Sequence, residues 1–148
     1  MLLGLGGLKG SGKDTVANLL VREYGFTKIA FADALREALL VLNPQIPGKA
    51  GYTNELAYLV RLYGWDEIKR QIPEVRRLMQ VFGTEVGRTL LGEYVWIDLL
   101  NKTYPDISDD SVRYVITDCR FANEVEYVHN NFGDLVWIDR AGVVSDGH

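Results

Sequence analysis

A glycine-rich stretch near the N-terminus constrains the fold of this 148-residue chain more than any other feature. It covers residues 7–15 and lies between an apolar run at 2–5 and an amphipathic segment that Gly25 ends. Three glycines in it let the backbone curl, so that successive N–H groups point at one anion. A helix beginning near Lys13 adds its positive N-terminal end, and the lysine adds a mobile charge. This order predicts a P-loop that holds a phosphate.

Two details of the glycine-rich stretch refine this interpretation. A dinucleotide-binding Gly-x-Gly-x-x-Gly pattern does not fit, because Gly4-Leu5-Gly6 is followed three residues later by Lys9. The residue after the P-loop lysine is Asp14, where Ser or Thr is usual, and a hydroxyl arrives one position later at Thr15. An ordinary glycine-rich turn is the plainer alternative.

Four apolar runs along the chain predict the strands. They cover residues 2–5, 27–31, 112–117 and 135–139, and they lack the polar alternation of a half-exposed sheet. Helical spacing of apolar residues follows the first run at Val16, Leu19, Leu20 and Tyr24, and the third at Val125, Val128 and Phe132, with Gly133 as the stop. Strand, helix and strand in alternation predict an α/β fold, a three-layer P-loop NTPase type with a short parallel sheet.

A long insertion separates the second and third predicted strands. It holds about eighty residues without a convincing strand, far more than one crossover helix needs. Asn54 is the expected N-cap of its first helix. Apolar faces are predicted at Leu56, Leu59, Val60 and Tyr63, at Leu78, Val81, Phe82 and Val86, and at Val95, Leu99 and Leu100. We expect a single domain over residues 1–148, with 43–104 as a helical substrate-binding insertion standing over one edge of the sheet.

Composition excludes several classes of protein. The net charge of −4 argues against a surface that coats nucleic-acid polymers. One cysteine and two histidines offer neither a disulfide nor a zinc cluster. No apolar run approaches the roughly 18 residues of a membrane span, and the first residues lack the basic start of a signal peptide. We therefore expect a cytoplasmic protein with no membrane partner.

Two carboxylates follow predicted strands. Asp33 follows the second strand and Asp118 the third, so both are expected at the carboxyl edge of the sheet, where ligands of open α/β sheets bind. Asp118 is placed to orient Mg²⁺ through water. A structural alternative exists for each: Asp118 capping the helix after Phe121, and Asp33 capping a helix over residues 34–42.

Three arginines are the candidate phosphate ligands, because a planar guanidinium grips phosphate oxygens at two points and stays charged. They are Arg36, Arg88 and Arg120. The alternative for the two helical arginines, 36 and 88, is a solvated surface. Gln80 lies eight residues before Arg88 and has an amide that pairs with a base edge, if the helix is continuous there. Trp96 either stacks on a base or belongs to the core.

Four separated blocks resemble one family. The segment Lys-x-Thr after the P-loop glycines is similar to the nucleoside monophosphate kinases, whose loops contain Gly-Lys-Gly-Thr. More specifically, the blocks resemble the deoxynucleoside monophosphate kinases of bacteriophages. The blocks are GSGKDT at 10–15, FADALREAL at 31–39, LMQVFGTEVGR at 78–88 with Trp96 following, and DCRFANE at 118–124.

The resemblance implies a function: phosphoryl transfer from ATP–Mg²⁺ to a nucleoside or deoxynucleoside 5′-monophosphate. It implies that Lys13, Arg120 and Asp118 are catalytic and that Thr15 and Asp118 serve Mg²⁺. The implied nucleotide-binding residues are Gly7, Lys9, Gly10, Ser11, Gly12, Lys13, Asp14 and Thr15. The implied acceptor-binding residues are Asp33, Leu35, Arg36, Gln80, Arg88, Trp96 and Asn123.

Alternatives to this function remain open at this point. One is another small-molecule P-loop kinase, such as a dephospho-coenzyme A kinase, and the other is a non-catalytic nucleotide-binding module. The resembling kinases continue past the fourth strand with a further helix and often another strand, a part expected to be missing here. A homodimer in which a second subunit covers the adenine site is one expectation from that difference.

Overall fold

The computed structural model describes residues 1–48 and 51–142. The expectation that a further helix and strand are missing after the fourth strand concerns the chain end, where residues 143–148 lie outside these ranges. The strands are β1 Leu2–Gly6, β2 Thr27–Ile29, β3 Gln45–Pro47, β4 Thr53–Glu55, β5 Tyr114–Ile116 and β6 Asp134–Trp137. The helices are α1 Lys13–Tyr24, α2 Ala32–Leu42, α3 Leu56–Gln71, α4 Pro73–Gln80, a π-helix at Val81–Leu91, α5 Val95–Thr103 and α6 Ala122–Asn130.

A parallel sheet of four strands confirms the predicted α/β class. The strand order is β2-β5-β1-β6, and every neighbouring pair is parallel. The four strands are those predicted, although β2, β5 and β6 each end one or two residues earlier than the apolar runs suggested. Because β1 and β5 are adjacent, the segments that leave their carboxyl ends start side by side.

The chain divides into two compact units. The first, called here the sheet unit, comprises Met1–Phe31 with Ile97–His148, and the second, the helical unit, comprises Ala32–Trp96. The insertion predicted at 43–104 overlaps the helical unit, and its exact bounds stay a prediction.

The core of the sheet unit forms where α1 covers the strands. Leu5, Ala17, Phe26 and Val115 are buried together, with Val16 and Leu20 packed against them. The predicted face of α1 was wrong at Leu19 and Tyr24, which are 46% and 57% exposed. The buried stripe is narrow because Ala17, with its small side chain, sits at its centre and lets the helix approach closely.

The predicted end of the last helix was also wrong. α6 ends at Asn130, and Phe132 lies outside it, 92% exposed with a φ of 55°. Gly133 donates its N–H to Val128 O at 2.9 Å. A side chain at Gly133 would collide with Leu2, because its Cβ would lie 2.9 Å from Leu2 Cγ. Gly133 is therefore needed for packing against β1, after the helix has already ended.

The helical unit contains a short hairpin that the sequence did not predict. β3 and β4 pair antiparallel, with Ile46 opposite Asn54. Ile46 is 1% exposed, and its neighbours Gln45 and Pro47 are exposed. A single apolar residue has no period, so the hydrophobic pattern of the sequence carries no strand signal here.

The N-cap predicted for α3 was wrong as well. Asn54 lies in β4, and the side chain that caps the helix comes from Asn43, whose Oδ1 accepts the N–H of Ala57 at 2.9 Å. Asn43 has a φ of 44°, which asparagine tolerates better than most residues, and its N–H also closes the end of α2 on Leu39 O. One residue thus ends α2 and caps α3.

The π-helix continues α4 without a break. Its hydrogen bonds reach back five residues, as from Gly92 N–H to Gly87 O at 3.0 Å. Trp96 lies against it, 6% exposed, and donates its indole N–H to Gly83 O at 2.8 Å. At Gly87 the indole is so close that a Cβ would lie 2.7 Å from Trp96 Cε2. The two glycines therefore make the surface on which the indole rests.

Candidate active site

The glycine loop has the open shape that the sequence predicts. Gly10 and Gly12 have φ values of 82° and 100°, and a Cβ on either would meet no atom within 4 Å. Gly12 is also the N-cap of α1, in the left-handed region. The positive φ values turn the backbone amides of the loop in a way that other residues adopt with strain. The loop thus has open space at Gly10 and Gly12, at the start of a helix, where an anion site is expected.

Gly7 is required by close packing at the start of the loop. It has a φ of 143°, and a Cβ there would collide with the carbonyl oxygen of Ile138, just beyond β6. The same Cβ would lie 2.8 Å from Ser11 Oγ. The backbone at Gly7 therefore lies in close contact with both Ile138 and Ser11. A residue with a side chain at this position would displace one or both of them.

The loop contains a buried polar group, the hydroxyl of Ser11. Ser11 is 5% exposed, and its Oγ has no hydrogen-bond partner among the described residues. Its N–H donates to Leu8 O at 3.1 Å, which fixes its position. A buried hydroxyl without a partner costs free energy, and a phosphate oxygen would satisfy it. The loop therefore fits a phosphate chemically as well as in shape.

Lys13 folds back over the loop. Its Nζ donates to Gly7 O at 2.6 Å and to Leu8 O at 2.8 Å. Burial lowers the pKa of Lys13, the positive charge of Arg120 lowers it further, and Asp14 opposes both. Asp14 itself is exposed and forms an ion pair with Lys28 at 2.6 Å. The positive charge of Arg120 thus acts on Lys13, and a polyphosphate bound at the loop would offset it.

Asp118 lies two residues beyond β5 and ties this strand's exit to that of β2. Its Oδ1 accepts the N–H of Phe31 at 2.9 Å. The structural alternative, in which Asp118 caps the helix after Phe121, stays a prediction. One carboxylate at that helix start is Glu124, which accepts the N–H of Arg120 at 2.8 Å and of Phe121 at 3.1 Å.

Sequence reasoning assigned no role to Glu124. It is 3% exposed, and it holds the backbone of the arginine whose charge acts on Lys13. The sequence does contain a signal for this role. Glu124 lies three positions after Phe121, the residue that directly precedes α6, and this is the spacing of a capping box.

The predicted acceptor residues of α2 lie in the helical unit. Asp33 is one residue inside the helix rather than at its cap, and it pairs with Arg36 at 2.9 Å. Arg36 Nε is inaccessible to solvent and has no partner among the described residues. Leu35 is 7% exposed and faces Gly83 of the π-helix, where a Cβ would lie 3.3 Å from its Cδ2.

Three more predicted acceptor residues lie on or beside the continuous rod of α4 and the π-helix. Gln80 is exposed at the last position of α4, and Arg88 is partly buried on the π-helix and donates to Glu93 O at 3.3 Å. Trp96 packs inside the unit with its N–H bonded to Gly83. The structure therefore brings Asp33, Leu35, Arg36, Gln80, Arg88 and Trp96 into one unit.

The remaining predicted residues lie in the sheet unit. Thr15 is exposed in the first turn of α1, Lys9 is exposed in the loop, and Asn123 is 6% exposed in the first turn of α6. Over residues 1–48 and 51–142, no group of three or more His, Cys, Asp or Glu side chains is arranged to hold a metal. Within the same ranges, no helix has both the length and the apolar character to cross a bilayer.

These features together define a class. A parallel sheet whose first strand passes through a glycine loop into a helix, with a lysine folded over that loop, is the arrangement of a P-loop nucleotide-binding protein. Comparison with known families narrows this class. The model of the deoxynucleotide monophosphate kinase family matches residues 51–148, two thirds of the chain, so the chain belongs to that family.

Three viral relatives are similar to this chain, and the matches to the first two extend beyond that range. A protein of Acanthamoeba polyphaga mimivirus that carries the same kinase name is 29% identical over 165 residues, covering 99% of this chain and 77% of its own. The deoxynucleoside-5′-monophosphate kinase of Escherichia phage T5 is 29% identical over 180 residues, covering 85% and 70%. The deoxynucleotide monophosphate kinase of Escherichia phage RB69 is 35% identical over 72 residues, covering 48% and 30%. The family resemblance found in the four sequence blocks is thereby confirmed.

Proposed function

We propose that this protein transfers the γ-phosphoryl group of ATP to a deoxynucleoside 5′-monophosphate and releases the diphosphate and ADP. The observation that carries the proposal is a glycine loop over which Lys13 folds and whose buried Ser11 hydroxyl has no partner among the described residues. A cation and an unsatisfied hydroxyl at one loop favour a phosphate over a neutral ligand, and the positive charge of Arg120 acts on the same lysine. The names of the viral relatives supply the substrate class.

On the donor side, each residue has a defined task. The loop amides around Gly10 and Gly12 and the Ser11 hydroxyl hold phosphate oxygens, and the start of α1 adds its dipole. Lys13 exchanges its bonds to the loop carbonyls for bonds to phosphate and follows the transferred group. Arg120 neutralises charge that spreads over the equatorial oxygens. The acceptor phosphate is already ionised at neutral pH, so no general base is required.

The residues at this edge of the sheet also fit Mg²⁺. Thr15 and Asp118 offer a hydroxyl and a carboxylate, and Mg²⁺ prefers oxygen ligands of which several are water. We assign them to hold the ion, Asp118 through water. When Mg²⁺ is bound, it neutralises charge on the β- and γ-phosphate oxygens. Asp118 meanwhile keeps the exits of β2 and β5 together through its bond to Phe31 N–H.

On the acceptor side, Arg36 and Arg88 bind the monophosphate. Asp33 holds one terminal nitrogen of Arg36 at 2.9 Å, and the buried Nε of Arg36 remains to donate. Gln80, exposed at the end of α4, pairs with the base edge. Leu35 and Trp96 support the acceptor residues from the interior of the helical unit, because both are buried within it. Asn123 is proposed to contact the substrate from the start of α6.

The direct test is an ADP-release assay with ATP–Mg²⁺ and each ribo- and deoxynucleoside monophosphate, with dephospho-coenzyme A and no acceptor as further arms. We expect turnover that depends on a deoxynucleoside monophosphate and a loss of kcat of at least about a thousandfold in Lys13→Ala. Lys102→Ala, a change at an exposed lysine on α5, is the matched control. Nucleotide binding without acceptor-dependent turnover would show a binding module instead.

The acceptor assignment has its own test. Arg36→Ala and Arg88→Ala should each raise the KM for the monophosphate by roughly ten- to a hundredfold while the KM for ATP stays within about twofold. Arg76→Ala, at an exposed position of α4, is the matched control. Equal effects on both KM values would remove these arginines from the acceptor site. Sedimentation velocity of the same preparation tests the expected homodimer.

A further inference from the structure

Glu124 is the one buried acidic side chain among the described residues, and the chemistry above does not use it. It is 3% exposed at the third position of α6. A buried carboxylate is costly unless hydrogen bonds compensate it. Its Oε2 accepts two backbone N–H groups, those of Arg120 and Phe121, at 2.8 and 3.1 Å. These two hydrogen bonds hold the backbone of one short segment.

That segment is fixed by a carboxylate at each end. At its start, Asp118 Oδ1 accepts Phe31 N–H at 2.9 Å, and at its end Glu124 accepts the N–H of Arg120. Between them the chain leaves β5 and turns into α6. Arg120 itself is exposed, although its neighbour Cys119 is buried. The hydrogen bond from Arg120 N–H to Glu124 fixes the backbone from which the guanidinium extends.

The position of Arg120 matters because the proposed function assigns its guanidinium to the charge on the transferring phosphoryl group. An acidic residue in the first turn would stabilise α6 whichever N–H groups it bonded. Here one of its partners is the backbone N–H of Arg120 itself. A shift of about 1 Å in a group that stabilises a transition state costs up to about a hundredfold in rate.

We propose that Glu124 is a positioning residue for phosphoryl transfer, which acts through Arg120 by holding its backbone amide. The inference rests on the proposed function. Glu124→Ala removes both hydrogen bonds and frees the 118–121 segment at one end. Glu124→Gln removes the charge and one acceptor oxygen, but it keeps one oxygen of the same reach. Because both N–H groups bond to the same oxygen of Glu124, this variant preserves most of the positioning.

A double-mutant cycle with Arg120→Ala separates positioning from plain stability. We expect Glu124→Ala to lower kcat at saturating substrates by roughly ten- to a hundredfold, and by less than about twofold once Arg120 is already alanine. Glu124→Gln should recover most of kcat. Glu126→Ala, an exposed acidic change on the same helix, is the control. Equal losses in both Arg120 backgrounds, or an unchanged kcat in Glu124→Ala, would overturn the proposal.

Two further measurements keep the result interpretable. If Glu124→Ala does not fold, Glu124→Gln is compared with the isosteric apolar variant Glu124→Met, and a kcat equal in the two overturns the proposal. Hydrogen exchange of the Arg120 and Phe121 amides is followed with calorimetric ATP affinity. Faster exchange with weaker ATP binding in the Glu124 variant supports the link to Arg120 even if no acceptor is phosphorylated, so a failure of the proposed function is recognised separately.

Discussion

The partial burial of Lys13 disfavours the protonated, positively charged form of its amine. The lowered pKa of this amine has two main causes, desolvation and the neighbouring Arg120. Between that lowered value and the ordinary 10.5, the unfolded chain binds a proton that the folded chain has released, so the stability of the ligand-free protein rises with pH across this window. A bound polyphosphate reverses the balance, because its negative charge favours the protonated amine.

The first residue-scale prediction follows from that reversal. ATP binding should take up a proton at Lys13, so the affinity falls by up to about tenfold per pH unit once pH exceeds the lowered pKa. Calorimetric titration of ATP between pH 7 and 10, in buffers of different ionisation enthalpy, measures both affinity and proton uptake. Lys13→Arg should bind with little dependence on pH in this range, because a guanidinium does not titrate there. An identical pH profile in both proteins would exclude Lys13 as the titrating group.

At the scale of elements, the π-helix depends on a contact that propensity does not describe. Gly87 is buried under Trp96, whose indole N–H bonds to Gly83 O at 2.8 Å. Glycine within a helix is unfavourable by about 0.8–1.0 kcal/mol relative to alanine, so sequence reasoning alone favours replacing it. The tertiary contact favours keeping it, because a Cβ would lie 2.7 Å from Trp96 Cε2.

Gly87→Ala therefore decides between the two effects. We expect the variant to lose about 1–3 kcal/mol of unfolding free energy, since overpacking exceeds the propensity gain. Gly83→Ala is the comparison: its Cβ would lie 3.3 Å from the tip of Leu35, which can move, so its loss should be smaller. Urea denaturation measures both. A Gly87→Ala protein more stable than the wild type would show that the indole moves aside at little cost.

At the scale of the whole molecule, the reactivity of the single cysteine, Cys119, measures how often the sheet unit opens. Cys119 is 6% exposed, and burial together with the charges of Asp118 and Glu124 raises the pKa of its thiol to about 12. A raised folded pKa means that stability is lost as pH rises above the thiol's ordinary 9.0. Because the reactive species is the thiolate, modification requires the surrounding structure to open.

Thiol labelling should therefore follow opening of the sheet unit. At pH 8 we expect the native protein to react with an aromatic disulfide reagent at least about a thousandfold more slowly than the denatured chain. A Val41→Cys variant made with Cys119→Ala places the thiol at a position 82% exposed, and it should label at the denatured rate. Rapid labelling of native Cys119 would mean that its burial is not maintained in solution.

Local sequence determined the parts of this protein whose signals are themselves local. The glycines of the P-loop, the order of strand and helix around Lys13 and the four family blocks all lie in short stretches, so the α/β class and the family were predictable without coordinates. Backbone freedom at glycine and the period of apolar residues depend only on neighbours along the chain. These two properties can therefore be read from short segments without knowing which distant residues they contact.

Tertiary structure decided what depends on partners far apart in sequence. The pairing of Ile46 with Asn54, the cap that Asn43 supplies to Ala57 of α3 and the indole of Trp96 against Gly87 join residues that are eight, fourteen and nine positions apart. Glu124 is different, since its partners are near in sequence, but its value comes from Arg120 acting on a P-loop lysine more than a hundred residues away. A pattern along the chain encodes local preference. Which groups meet is set by packing, because burial and hydrogen bonding are satisfied only when the whole unit has folded.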